Sequence, residues 1–327
     1  MKKSILALSA IALCACGGTP GGSGATSSSI AEKAASIYFP TATGRDSGEG
    51  IDVFMDMGPV RLTYIYTGEG VHEEILRYEY NEDYISIDSL GRVSGKKEGS
   101  TRVYAITATQ RIEFRVNVLT RMSYDCLPSL LEMQQLYAQH GSIKGGTLFC
   151  GDSFFDTRYN WTTFYSDFAG KDVFSSAIGT TRTEDWMYMC PELVTAFEPA
   201  KIFLHVGTNN INDEGDNGKI AAAKLINLLQ EFHYQVPEAK IYLFGIERTT
   251  NPAFTSSYAK SSEANSIVSS YLAENPDLAT YLDSPSVFEE DIDNYLLPDG
   301  LHPNANGYAA YVDMVEGLIC LEKRKTF

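Results

Sequence analysis

The 327-residue sequence is short of positive charge: 26 Lys and Arg stand against 42 Asp and Glu, a formal net charge of −16. Like charge opposes approach to a phosphate backbone or an anionic bilayer, so nucleic acid and anionic membrane surfaces are not expected partners. The apolar run near the N-terminus, Ile5 to Leu13, is far too short to cross a bilayer, which takes about 20 residues. No G-x-G-x-x-G or G-x-x-x-x-G-K-[ST] joins a strand-like run to a helix, so no nucleotide cofactor is indicated. Histidine is scarce at five residues, and "VHEEIL" (71–76) places Leu76 where a zinc helix needs its second histidine. The acidic loop "NDEGDNG" (212–218) lacks the ligand order and closing glutamate of a calcium loop. Neither a metal nor a cofactor is expected.

What remains is a chain that is 44% apolar and 12% aromatic, enough to bury one sizeable core and a second smaller one. The charge is uneven: residues 30–120 carry 10 basic and 14 acidic side chains, residues 121–327 carry 14 and 28. A neutral or cationic substrate suits the second stretch better than an anionic one.

The start, "MKKSILALSAIALCACGG", has two lysines, a short apolar run and then small residues, the order of an export signal. Leu13-Cys14-Ala15-Cys16 resembles a bacterial lipobox, with Cys16 as the lipid-modified first residue of the mature chain; Cys14 departs from the small residue usual there. The alternative is a cleaved signal without lipid. Residues 17–29, "GGTPGGSGATSSS", carry no charge and no large apolar side chain and read as a flexible tether. The leader is thus 1–15, the tether 16–29, and the expected location the bacterial cell envelope, anchored through Cys16. Four cysteines follow, and their three pairings stay open. Cys126 and Cys320, on helical-looking segments flanking the second domain, are the favoured pair, whereas Cys150, inside an apolar run, reads as a buried thiol.

Residues 30–119 read as a small all-β domain. "RLTYIYTG", "YISIDSLGRVSGKKEGSTRVYAITAT" and "RIEFRVNVLT" alternate with period two and are broken by Gly, Asp and Ser turns. The segment "ISIDSLGRVSGKKEGSTRVYAITA" resembles the bacterial Ig-like domain, group 2, which implies a β-sandwich acting as spacer or surface-binding module.

From residue 120 the rhythm changes. "CLPSLLEMQQLYAQHG" (126–141) is amphipathic and stops on glycine. Apolar runs at 147–150, 172–178, 201–207, 240–246 and 279–284 then alternate with helix candidates near 157–168, 183–197, 218–234, 257–274 and 305–322. This spacing predicts a five-stranded parallel sheet covered on both faces, and in such sheets ligands gather at the carboxyl ends of the strands.

Those ends carry a set suited to acyl transfer, which needs a nucleophile, a base, a carboxylate to orient the base, and donors for the oxyanion. In "LFCGDSFF" (148–155), Ser153 is the candidate nucleophile and its own N–H an oxyanion donor. Gly179 offers a second N–H with no side chain in the way, and Asn209 a side-chain amide. In "PDGLHPNANG" (298–307), His302 is the base and Asp299, three residues earlier, its orienting carboxylate; Pro298 and Pro303 limit the loop's freedom.

Over roughly residues 145–322 the sequence resembles the SGNH, or GDSL, hydrolases, with four blocks in the family's order. The resemblance implies a flavodoxin-like three-layer α/β sandwich, and by position Ser153, Gly179, Asn209 and His302 match the family's four named residues, with Asp299 as third member of the triad. Asn210 stands where many members carry Asp, although "VGTNN" is similar to the platelet-activating-factor acetylhydrolase branch. The expected activity is removal of a short acyl group, acetyl above all, from a carbohydrate or other small ester. Two alternatives are a lipase or lysophospholipase acting on lipid esters, and an inert surface glycan-binding or adhesion protein. Among the aromatics after the nucleophile, Trp161 is the candidate substrate contact. His205, within an apolar run, reads as a core residue rather than a ligand.

Overall fold

In the computed structural model, which describes residues 33–40, 50–213 and 215–319, the period-two segments form three small sheets. Leader, Cys16, tether and Cys320 lie outside the described residues, and with Cys320 the favoured cysteine pairing. The strands are β1 (Ser36–Tyr38), β2 (Ile51–Phe54), β3 (Val60–Arg61), β4 (Ile65–Thr67), β5 (Arg77–Tyr80), β6 (Ile85–Ile87), β7 (Arg92–Gly95), β8 (Gly99–Ile106) and β9 (Arg111–Leu119). They pair as β2-β9-β8-β5, β3-β7-β6 and β1-β4. The longest ladder is the β8–β9 hairpin, antiparallel from Gly99↔Val118 to Ile106↔Arg111. Along β8, Thr101, Val103 and Ala105 point inward while Arg102 faces solvent, as the alternation requires. The two larger sheets approach closely at Gly95, where an added Cβ would stand 2.6 Å from Val118 Cγ1.

The rest of the described chain is α/β. In order come α1 (Leu127–His140), β10 (Thr147–Gly151), α2 (Phe164–Asp167), β11 (Val173–Ser175), α3 (Thr183–Leu193), β12 (Lys201–His205), α4 (Thr208–Asn212), α5 (Gly218–Gln235), β13 (Lys240–Phe244), α6 (Tyr258–Glu274), β14 (Thr280–Leu282), α7 (Ser284–Glu289), α8 (Ile292–Tyr295) and α9 (Ala305–Val315). α1 has Pro128 in its first turn and stops at Gly141, whose φ of +95° suits glycine. The five strands form one parallel sheet in the order β11-β10-β12-β13-β14. Successive strand residues face opposite layers, and both layers are covered, so the runs are apolar throughout. One face is mainly aliphatic: Leu148, Ile202, Leu204, Ile241 and Leu243 join α1, α3, α5 and α6. The other is aromatic: Phe149, Phe203, Tyr242 and Phe244 meet Trp161, Phe288 and Tyr311. This is the flavodoxin-like three-layer sandwich.

One expected helix is largely absent. Over 157–168 only Phe164–Asp167 is helical. The chain before it wraps around Asp156: Asn160 N and Trp161 N both donate to the Asp156 carbonyl, Arg158 N donates to its carboxylate, and Asn160 Nδ2 donates to Ser153 O. These local bonds replace the helical ladder.

The all-β unit packs against α3 and α5. Tyr188 Oη donates to Asp52 O (2.7 Å), Asn227 Nδ2 donates to Arg61 O (2.7 Å) and Thr63 Oγ1 (2.8 Å), and Phe54 meets Tyr188 edge-on at 4.9 Å. The aliphatic face of the sheet and the interior of the all-β unit form one continuous apolar cluster.

Candidate active site

β10 ends on Gly151, and only glycine fits there. Its φ is +131°, and a Cβ would stand 1.7 Å from the carbonyl oxygen of His205 on the adjacent β12. The chain turns at once: Asp152 Oδ1 accepts the N–H of Phe154 (3.2 Å) and caps a single 3₁₀ turn, Ser153–Phe155. Ser153 therefore stands at the carboxyl end of β10. Asn209 stands at that of its neighbour β12, the point where the strand order reverses.

Ser153 Oγ lies 2.8 Å from His302 Nε2, and His302 Nδ1 lies 2.7 Å from Asp299 Oδ2. Oγ–H donating to Nε2 and Nδ1–H donating to the carboxylate give one continuous chain of hydrogen bonds. Asp299 Oδ1 also accepts the backbone N–H groups of Leu301 (2.9 Å) and His302 (3.0 Å). Partial burial alone would raise the Asp299 carboxyl pKa, but these bonds from His302 and Leu301 outweigh it and hold it below the usual range. The loop is braced from β13's side. Thr250 N (2.8 Å), Asn251 N (3.1 Å) and Thr249 Oγ1 (2.5 Å) all donate to Gly300 O, and Asn251 Nδ2 donates to Asp299 O (2.8 Å).

The oxyanion donors are less uniform than the sequence implies. Ser153 N–H makes no hydrogen bond among the described residues. Asn209 Nδ2 donates one of its two N–H groups to Thr181 O (2.9 Å) and keeps the other. Gly179 is adjacent, since a Cβ built on it would lie 3.7 Å from Ser153 Cβ. Its N–H, however, is donated to Asp156 Oδ2 at 2.9 Å, so it is not the open donor expected. Asp156, fully buried, is in turn gripped by Arg158 through Nε (3.0 Å) and Nη2 (2.7 Å). The next residue, Thr180, takes φ +63°, a left-handed conformation costly for a β-branched side chain.

Trp161, the expected substrate contact, lies inside the aromatic core. It is 0% exposed, stacks on Tyr308 at 4.7 Å and donates Nε1–H to Asp167 Oδ2 (2.8 Å). Phe154 and Phe155 are likewise buried.

Sequence reasoning leaves three features unseen. Asn210, 0% exposed, accepts Thr183 N (3.1 Å) and donates to Thr183 Oγ1 (3.1 Å) and to Glu184 Oε2 (3.0 Å), binding α4 to the start of α3. Glu184 and Asp216 both pair with buried Lys224, each at 2.7 Å. Burial would raise the Glu184 carboxyl, and Lys224 overrides it, pulling the pKa down to about 2. His205 is a core residue, as its apolar run suggests, but it is wedged between two carboxylates, Asp152 and Glu247. The signal was available: Gly151 pairs with His205 in register, so the acids just past β10 and β13 lie level with it.

Residues 149–310 match the sequence profile of the GDSL-like lipase/acylhydrolase family. Among solved structures the chain is similar to a GDSL-like lipase from Bacteroides thetaiotaomicron (15% identity over 58% of this chain and 95% of that one, TM-score 0.48). Others are a lipase/acylhydrolase from Enterococcus faecalis (16%, 54% and 99%, TM-score 0.44) and a catalytic mutant of an acetylxylan esterase from Geobacillus stearothermophilus (16%, 55% and 98%, TM-score 0.44). No curated protein matches.

Proposed function

We propose that the protein, a hydrolase whose residues 149–310 match the profile of the GDSL-like lipase/acylhydrolase family, is a serine esterase removing short acyl groups, acetyl above all, from carbohydrates or other small esters. The observation that carries this reading is the Ser153–His302–Asp299 hydrogen-bonded chain beside an unpaired Ser153 N–H.

Ser153 Oγ attacks the ester carbonyl carbon while its proton passes to His302 Nε2. Asp299 keeps Nδ1 protonated and stabilises the imidazolium that forms. The oxyanion faces Ser153 N–H and the spare N–H of Asn209. His302 then gives its proton to the departing alkoxy oxygen, the C–O bond breaks, and the acyl group stays on Ser153. Water, deprotonated by His302, releases it as the free acid.

Two features favour a short acyl group and an uncharged acceptor. Phe154, Phe155, Trp161 and Phe164 are already packed against one another or the sheet, so they offer no free apolar wall to a long chain. The carboxylate of Asp299 beside the base, and the excess of 28 acidic over 14 basic side chains across residues 121–327, disfavour anionic headgroups. The leader and Cys16 support a place in the cell envelope as a lipoprotein, with the all-β unit as an Ig-like spacer; palmitate labelling lost in Cys16→Ala would test the anchor.

The decisive test is hydrolysis of p-nitrophenyl esters from acetate to decanoate. Wild type should be fastest on acetate, and Ser153→Ala should lose at least about 1,000-fold in kcat. Full activity in Ser153→Ala overturns the reading; a preference for decanoate transfers it to lipid esters.

A further inference from the structure

Behind Ser153, three neighbouring strand ends meet in an ionic chain that the steps above do not use. His205, the last residue of β12, is 0% exposed, with Nδ1 2.9 Å from Asp152 Oδ1 and Nε2 2.6 Å from Glu247 Oε2. Asp152 immediately precedes the nucleophile and caps its turn. Its second oxygen, Oδ2, is buried and has no hydrogen-bond partner among the described residues. Glu247, just past β13, accepts Ser284 Oγ–H (2.5 Å) from α7 and Tyr311 Oη–H (2.7 Å) from α9. Two residues on, the chain reaches Thr249, Thr250 and Asn251, which hold the carbonyls of Gly300 and Asp299. The nucleophile's turn and the base's loop are thus joined through a single imidazole.

We propose that His205 is a positioning residue for acyl transfer: by bridging Asp152 and Glu247 as a doubly protonated ring, it sets the separation of Ser153 Oγ from His302 Nε2. The proposal rests on the serine-esterase reading. A neutral imidazole has one N–H and one lone pair. It would turn that lone pair against a carboxylate oxygen at one end and leave two buried acids without a counter-charge. The groups facing His205 are Asp152 beyond β10, Glu247 beyond β13, the Tyr311 hydroxyl that reaches Glu247 from α9, and the rings of Phe154 (4.1 Å) and Phe155 (5.6 Å). Burial alone would lower the imidazole pKa; Asp152 and Glu247 outweigh it and push it up to about 10. The bridge therefore holds across neutral pH and fails in alkali.

The test compares background-corrected acetate-ester hydrolysis by wild type, Glu247→Gln and His205→Gln between pH 6 and 10.5, with circular dichroism to establish folding. Wild type should lose activity as pH approaches about 10. Glu247→Gln removes one of the two carboxylates and should bring that alkaline limb down by at least about one pH unit. His205→Gln should lose about 10-fold or more in kcat with KM changed less than about twofold, the split expected when a reacting geometry is spoiled. A folded Glu247→Gln with an unmoved limb, or a folded His205→Gln with wild-type kcat, overturns the proposal. If both variants fail to fold, histidine ¹⁵N NMR of the wild type decides. One of the five histidines should keep imidazolium shifts at pH 8.5, and none doing so overturns it. Activity persisting in Ser153→Ala would instead defeat the esterase reading itself.

Discussion

Asn210→Asp exchanges one amide nitrogen for oxygen and keeps the shape of the side chain. In the fold that nitrogen donates to Glu184 Oε2 at 3.0 Å, in a network built on the buried Asn210 and Lys224, with Glu184 partly exposed. Two carboxylate oxygens at this spacing repel by about 5 kcal/mol at an effective dielectric constant near 20. The variant can escape by keeping the introduced carboxyl protonated, which restores a donor to Glu184. From an unfolded pKa of about 3.9, holding that proton costs about 4 kcal/mol at pH 7 and about 1.5 kcal/mol at pH 5. Protonation is the cheaper route, so it sets the loss. The sign follows: an acid whose pKa is raised by folding binds more protons folded than unfolded, so the penalty is absent below about pH 4 and grows as pH rises. Lys224 does not rescue the variant, because its ammonium already pairs with Glu184 and Asp216. Urea unfolding of both proteins at pH 7 and pH 5 measures the difference. A loss that is equal at the two pH values, or under about 1 kcal/mol at pH 7, would refute the reasoning. The same network suits an amide at position 210 better than a carboxylate.

Asn209→Ala should cost about 100-fold or more in kcat with little change in KM, because among the described residues two of the three expected oxyanion donors, Ser153 N–H and one Asn209 N–H, stand open; a loss under about fivefold in acetate-ester kinetics would remove Asn209 from the site. Trp161→Ala should lower stability by about 3–5 kcal/mol, the range for truncating a large buried aromatic, and in urea-melt and kinetic assays the surviving folded fraction should keep its KM. A stable variant with a raised KM would return Trp161 to the substrate.

Much of this site could be read from the sequence because its parts sit where local chemistry is most explicit. The turn after β10 needs Gly151 for clearance, and the loop of Asp299 and His302 is punctuated by Pro298, Gly300 and Pro303. The strands of the parallel sheet are continuous apolar runs, and α5 and α6 follow their periodicity closely. The 157–168 segment misleads because Trp161, Phe164 and Phe168 have helical spacing for another reason: they fill the aromatic face of the sheet from a chain folded around Asp156. β1 and β2, at 3 and 4 residues, are too short for an alternation to register. The capture of Gly179 N–H by Asp156, and of His205 by Asp152 and Glu247, arises from side chains that only the tertiary fold brings together.

The most direct test of the account treats wild type and His302→Ala with a fluorophosphonate and maps the covalent adduct by peptide mass spectrometry. The account predicts rapid phosphonylation of wild type at Ser153 and labelling slowed by at least about 1,000-fold when His302 is absent. An adduct on another residue, or Ser153 labelled as fast without His302 as with it, would contradict it.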